Sequence, residues 1–140
     1  MIAELELLDE QIFTLLAEYV QEHLPELEDE HFGMVQCDPS DEAKLPYIFI
    51  DKINAVETAV DLESNKVNGG LFTYQVRVTS NNSKEEVKKI MLQVTNAMKT
   101  MAFRGTSLPV FIDTDNLHIQ IARWQREINE GDTLSTRPID

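Results

Sequence analysis

Phe72, Tyr74, Val76 and Val78 alternate with polar residues, and a few positions later Ser83 and Glu86 stand in front of Val87, Ile90, Met91, Val94, Met98 and Met101. Alternation with a period of two is the pattern of a strand with one buried face. The S-x-x-E spacing is a capping box, and the apolar residues after it recur at helical intervals. A half-buried strand feeding directly into an amphipathic helix commits this part of the chain to an α+β arrangement in which the helix covers the apolar side of the sheet. The even-numbered strand residues face that core, while Thr73, Gln75, Arg77 and Thr79 face away.

The pattern extends in both directions. Val56, Thr58, Val60 and Leu62 alternate with Glu57, Ala59, Asp61 and Glu63, and Asn68, Gly69 and Gly70 follow before the next alternating run. Those three residues suit positive φ, so the spacing predicts an antiparallel hairpin turning at 68–70. Upstream, Ile12, Leu15, Leu16, Tyr19, Val20 and Leu24 define a helix over Asp9 to Leu24, with Asp9 as its cap and Pro25 at its end. Phe32 to Cys37 and Tyr47 to Ile53 carry the β-branched and aromatic content of strands. Glu85 and Lys89 stand four apart, the spacing of a surface ion pair on the second helix. Gly105 and Pro109 punctuate the chain after that helix, and a last strand runs from Leu117 to Ile128.

In that last strand Leu117, Ile119 and Ile121 fall on odd numbers, whereas Trp124 and Ile128 fall on even ones. Either a bulge near Ala122 or Arg123 switches the face, or both faces of the sheet are covered there. The expected fold is therefore α+β: a single domain over 1–128, with a mixed, mainly antiparallel sheet and two main helices packed on it. Residues 129–140 form a polar C-terminal hairpin or tail. A chain of 140 residues has room for one core and not for two.

Charge is distributed unevenly. Residues 1–43 hold thirteen Asp and Glu with no Lys or Arg, and from Lys44 onward twelve acids meet twelve bases, so the whole formal charge of −13 sits in the first third. Hydrophobic content of 42 % is that of a globular chain, which makes the acidic part a folded surface and not a disordered arm. Such a surface disfavours tight nucleic-acid binding, which needs a basic patch. It suits association with a basic partner, or with a locally basic surface of another copy in a head-to-tail contact. No apolar run approaches the roughly 20 residues that cross a bilayer, and acids occupy Met1 to Glu10 where a secretory signal carries bases, so a soluble cytosolic protein is expected. The single cysteine, Cys37, lies beside Asp38, which disfavours a thiolate, and a lone cysteine fits a reducing compartment.

Catalytic patterns are missing. His23, His31 and His118 fall on a helix end, a loop and a strand start, away from any G-x-S-x-G context. Asp113, Asp115 and Asn116 form a D-x-D pattern without the glycine and distal glutamate of a calcium loop, which reads as a plain turn. Gly69 and Gly70 precede a strand and not a helix, so they make no phosphate cradle. No catalytic residue, cofactor or metal ligand is expected.

The order of features resembles a family. An acidic helix ending at Leu24–Pro25, the strand Pro46, Tyr47, Ile48, Phe49 and Ile50, the segment TSNNSKEEVKKIMLQVTNAM, and the late strand DNLHIQIARWQREI follow one another over Asp9 to Ile128. This order is similar to that of the small tail terminator and tail completion proteins of long-tailed bacteriophages, including the prophage proteins described as minor capsid proteins. The resemblance implies a mixed sheet flanked by helices and a homo-oligomeric ring, commonly of six subunits. Such a ring caps the tail tube, contacts the tail tube protein and the head-tail connector, and lets DNA pass only through its channel. It also implies no enzymatic activity and no membrane, with a place in the virion tail after assembly in the host bacterium's cytoplasm.

Position on the late strand and in the tail nominates Arg123, Trp124, Arg126 and Arg137 as subunit-interface residues, with the segment from Thr133 to Pro138 crossing to a neighbour. Two alternatives share the same sequence features. One is a neck or minor capsid protein acting in head completion. The other is a non-viral acidic interaction protein, such as a DNA mimic, whose binding face is the acidic first third.

Overall fold

A computed structural model of the chain describes residues 1–35, 44–60, 67–114 and 116–136. Cys37, Asp115 and Arg137 lie outside these described residues. Helix α1 spans Leu8–His23 and α2 spans Lys84–Thr100. The strands are β1 (Phe32–Gly33), β2 (Tyr47–Val60), β3 (Val67–Ser80), β4 (Arg104–Thr114) and β5 (Leu117–Asn129). They form one sheet in the order β1-β2-β3-β5-β4, in which only β1 and β2 are parallel. The α+β fold expected from the alternation is the fold observed.

Helix α2 packs over β3 and β5, and α1 packs against α2 and β2. The core is therefore a sandwich of one helical layer and one sheet face: Ile12, Leu16 and Val20 from α1, Val87, Val94 and Met98 from α2, and Ile48, Tyr74, Val76, Val78, Ala122 and Ile128 from the sheet are all almost fully buried. The even-numbered residues of β3 point into this core, as the alternation requires. Ser83 caps α2 by accepting a hydrogen bond from Glu86 N at 3.1 Å. The other half of the capping box is diverted, because the Glu86 carboxylate accepts instead from Ser80 Oγ at 2.9 Å and Asn82 Nδ2 at 3.0 Å. That arrangement ties the end of β3 to the start of α2.

Helix α1 departs from expectation at its start. Leu7 is the N-cap and no side chain caps it, while Asp9 sits inside the first turn. There the carboxylate complements the positive end of the helix and accepts a hydrogen bond from the Tyr74 hydroxyl at 2.6 Å. Lys52 Nζ lies 3.5 Å from the other oxygen. Burial, and then the Asp9 carboxylate, push the Tyr74 pKa far above the ordinary tyrosine value. In an unfolded chain Tyr74 ionises near pH 10, whereas in the native chain it stays neutral, so this contribution is complete below pH 10 and is lost as pH rises further. Ultraviolet titration should show a Tyr74 step that resists ionisation until the protein unfolds in alkali. Tyr74→Phe should remove that resistant step and cost about 1.5–3 kcal/mol in denaturant melts, the range for a hydrogen bond to a charged acceptor.

The hairpin is longer than the alternation suggests. Tyr47–Val60 is a single strand, and β3 begins at Val67, so Asn68, Gly69 and Gly70 are strand residues and not the turn, with the two glycines paired to Ala59 and Glu57. The glycines serve close approach: a Cβ on Gly69 would collide with Asn129 Oδ1, and one on Gly70 would lie 3.0 Å from Val56 O and 3.1 Å from the Phe72 ring. Because β1 pairs only with Ile48 and Phe49, no described strand flanks the rest of β2 on that side, and Asp51 to Thr58 are exposed on both faces. Val56 and Thr58 are thus solvent-facing, contrary to the half-buried strand expected there.

The region around Gly105 and Pro109 is not a connection but the edge strand β4. Its pairing with β5 slips between Gly105 and Ser107 and between Ser107 and Val110, the bulging typical of a protected edge. Strand β5 pairs with β3 without a slip from His118 to Asn129, so the switch of apolar parity is not a bulge in β5. Ile119 and Ile121 lie on the face away from the helices, and Ala122, Trp124 and Ile128 lie on the helical face. The polar end of the chain returns to its own beginning. Thr133 bridges Ile2, Leu134 N donates to Met1 O at 2.7 Å, and the Leu134 side chain is fully buried in the core. Thr133 and Leu134 therefore do not cross to a neighbour.

Candidate interaction surface

A two-layer fold with both helices on one side leaves the other side of the sheet without a covering helix or strand among the described residues. On that open face the cross-strand rows follow from the register, since residues directly opposite in an antiparallel pair project to the same side. Phe49, Arg77, Ile121 and Val110 form one row, and Thr79, Ile119 and Ile112 the next. Ile119, Ile121 and Phe49 are half-buried, while Val110 and Ile112 are exposed. Towards the opposite end the rows turn polar, with Gln75 beside Arg123 and Thr73 beside Gln125 and Arg104.

Hydrogen bonds hold the polar rows in place. Arg123 Nε donates to Gln75 Oε1 at 3.1 Å, Gln125 Nε2 donates to Thr73 Oγ1 at 3.2 Å, and Arg104 Nη2 lies 3.5 Å from Gln125 Oε1. The Nε of Arg77 is buried between the isoleucine and phenylalanine neighbours and finds no acceptor among the described residues. Three guanidinium groups thus stand on this face, with Asp51 and Glu127 at its margins. Arginines beside Phe49 match contact surfaces, where Arg and aromatic residues are enriched.

On the far side of the molecule α1 presents a different surface. Its apolar stripe is buried, and Glu10, Thr14, Glu18 and Glu22, each four residues from the next, form an exposed row that winds slowly around the helix. Glu18 and Glu22 repel one another at this spacing, at a cost of a few tenths of a kcal/mol. Glu28, Asp29 and Glu30 extend the negative surface past the helix. Besides Asp9, which faces Lys52, Glu26 is balanced: Lys89 Nζ lies 2.9 Å from its Oε1 and holds the carboxyl below its usual range. Lys89 thus links the end of α1 to α2, and its ion pair is with Glu26 in place of the expected Glu85.

Of the four residues nominated for subunit contact, Arg123 alone projects from the open face. Trp124 is 3 % exposed and packs in the core, so it offers no contact surface. Arg126 lies on the helical side, where Nη1 donates to the Met101 carbonyl at 2.8 Å and satisfies the C-terminal end of α2. Arg137 is outside the described residues. Parity carried the signal: both Trp124 and Arg126 share even numbers with Ala122 and Ile128. Arg77 and Arg104 were missed as members of this surface, although Arg77 already stood among the outward-facing residues of its strand.

Other chemistry is sparse. His23 stacks on Tyr19 at 4.2 Å between ring centroids, and His31 Nδ1 lies 2.9 Å from the Pro46 carbonyl, so both rings are used in local structure. A cavity of about 430 Å³ opens between the end of α1 and the start of α2, bordered by Leu27, His31, Pro46, Glu86, Lys89 and Ile90. Of its charged residues, Lys89 is paired with Glu26, and the Glu86 carboxylate is bonded to Ser80 and Asn82. Among the described residues no group of three His, Cys, Asp or Glu is placed to hold a metal ion, and no helix is long and apolar enough to cross a membrane. No protein-family model matches the chain, and no curated protein matches it.

Proposed function

We propose that this protein is a structural virion component that self-associates into a ring, caps a bacteriophage or prophage tail tube, and joins the tail to the head. The observation that carries this reading is the opposition of two unlike surfaces. One face of the two-layer fold carries arginines among isoleucines, and the opposite face carries an uncompensated line of glutamates. Surfaces on opposite sides cannot meet within one molecule. Copies join them in series, and such a heterologous contact closes into a ring when the rotation per copy permits.

The remaining acids then line solvent or the channel, where they repel DNA phosphates and let a duplex pass without sticking. The partners are further copies of this chain, the tail tube protein and the head-tail connector. The resemblance over Asp9 to Ile128 supplies the tail-end role, and the fold agrees with the one it implies. A DNA-mimic reading draws on the glutamate line alone and leaves the arginine-bearing sheet face without a use.

Termination is testable by polymerising tail tube protein with and without this protein and measuring tube lengths by negative-stain electron microscopy. Addition is expected to narrow the length distribution and stop growth at one end. Tubes of unchanged length and unchanged growth would contradict a capping role.

A further inference from the structure

We propose that the open sheet face is the seat for the glutamate line of α1 of a second copy, with Arg104 and Arg123 opposite Glu18 and Glu22 and the isoleucine rows closing over the apolar margin of that helix. This inference rests on the self-association reading and names the two surfaces that carry it. The occupant follows from charge complementarity. The face bears Arg77, Arg104 and Arg123 with Asp51 and Glu127 at its margins, so its centre is positive in a chain whose formal charge is −13. The matching negative surface is the exposed line Glu10, Glu18 and Glu22, which meets no base along its length among the described residues and retains a repulsive spacing. Shape agrees with charge. A helix laid on an uncovered sheet face repeats the packing already present on the other side of this sheet, and half-buried Ile119, Ile121 and Phe49 are apolar surface for it to cover.

A charge swap tests this directly. Arg104 and Arg123 are exposed, as are Glu18 and Glu22, so Arg104→Glu with Arg123→Glu, and separately Glu18→Arg with Glu22→Arg, should leave circular dichroism and melting midpoint close to those of the unaltered protein. Two Arg→Glu changes take the formal charge from −13 to −17, and two Glu→Arg changes take it to −9, so both variants stay acidic and have no bulk attraction for each other.

Light scattering after size exclusion at low salt should show oligomers for the unaltered protein and a monomer of 16.0 kDa for each variant alone. An equimolar mixture of the two should recover assembly, because each basic patch then meets an acidic one. High salt should dissociate both the unaltered and the mixed assemblies. A monomeric unaltered protein, assembly by either variant alone, or a mixture that stays monomeric would each overturn the assignment. The tube-length assay is independent. Swap-dependent assembly with unaffected tubes would retain this interface and remove the tail role, whereas swap-insensitive rings that still cap tubes would do the reverse.

Discussion

Trp124→Ala should unfold the protein, not dissociate it. The indole is 3 % exposed in the core opposite Tyr74, and excising an aromatic side chain from such a site costs about 3–5 kcal/mol, a large share of the stability of a domain this size. Chemical denaturation should show the midpoint collapse at any protein concentration, with the loss independent of oligomeric state. A contact tryptophan would behave in the opposite way, leaving the monomer's melt intact and weakening only association. Trp124→Phe should be much milder. The indole Nε1 is buried without an acceptor among the described residues, so losing that N–H removes an unsatisfied group and offsets part of the lost volume.

Leu134→Ala is the second large effect, because it addresses a segment whose composition suggests a free tail. Leu134 is fully buried, its N–H is bonded to Met1 O, and the adjacent Thr133 bridges Ile2. Removing the side chain should cost about 2–5 kcal/mol, as for other buried leucines. Amide exchange should show the loss first around Ile2, which bridges Thr133, and around the N-terminal core residues Ala3 and Leu8. A variant that melts like the unaltered protein would mean that residues 129–134 are not part of the core.

Much of this fold is legible in the sequence, and its illegible parts have physical reasons. Helix α2 announces itself because Ser83 and the stripe from Val87 to Met101 satisfy both a cap rule and a period. The faces of β3 are equally plain, because one side is packed and the other is not. The edge strand β4 is hidden because an edge tolerates what interior strands reject: Pro109 sits within it, Leu108 is 84 % exposed, and two register slips break its alternation. The turn was misplaced because Gly69 and Gly70 look like punctuation, while their role is to let Asn129 and the β2 backbone come close. Asp9 has the residue type of a cap, yet it lies within the first turn with its carboxylate held by Tyr74 and Lys52, partners 65 and 43 positions away that no local rule anticipates.

The candidate surface was half legible for the same reason. Thr73, Gln75, Arg77 and Thr79 are outward by alternation, and the charge split is visible by counting. What counting does not reveal is that Arg126 is consumed as a cap for α2 and Trp124 is consumed by the core, because both depend on which side of β5 the helices cover. Once that side is known, the arginines of the open face are Arg77, Arg104 and Arg123, spread across β3, β4 and β5, and of the nominated Arg123, Trp124, Arg126 and Arg137 it retains Arg123.

The most direct measurement is electron microscopy of tail tubes incubated with the purified protein, averaged at the tube ends. The expected result is a ring of identical copies on one end only, joined edge to edge around an opening continuous with the tube. Bare tube ends with the protein dispersed as single molecules, or bound evenly along tube walls, would contradict it.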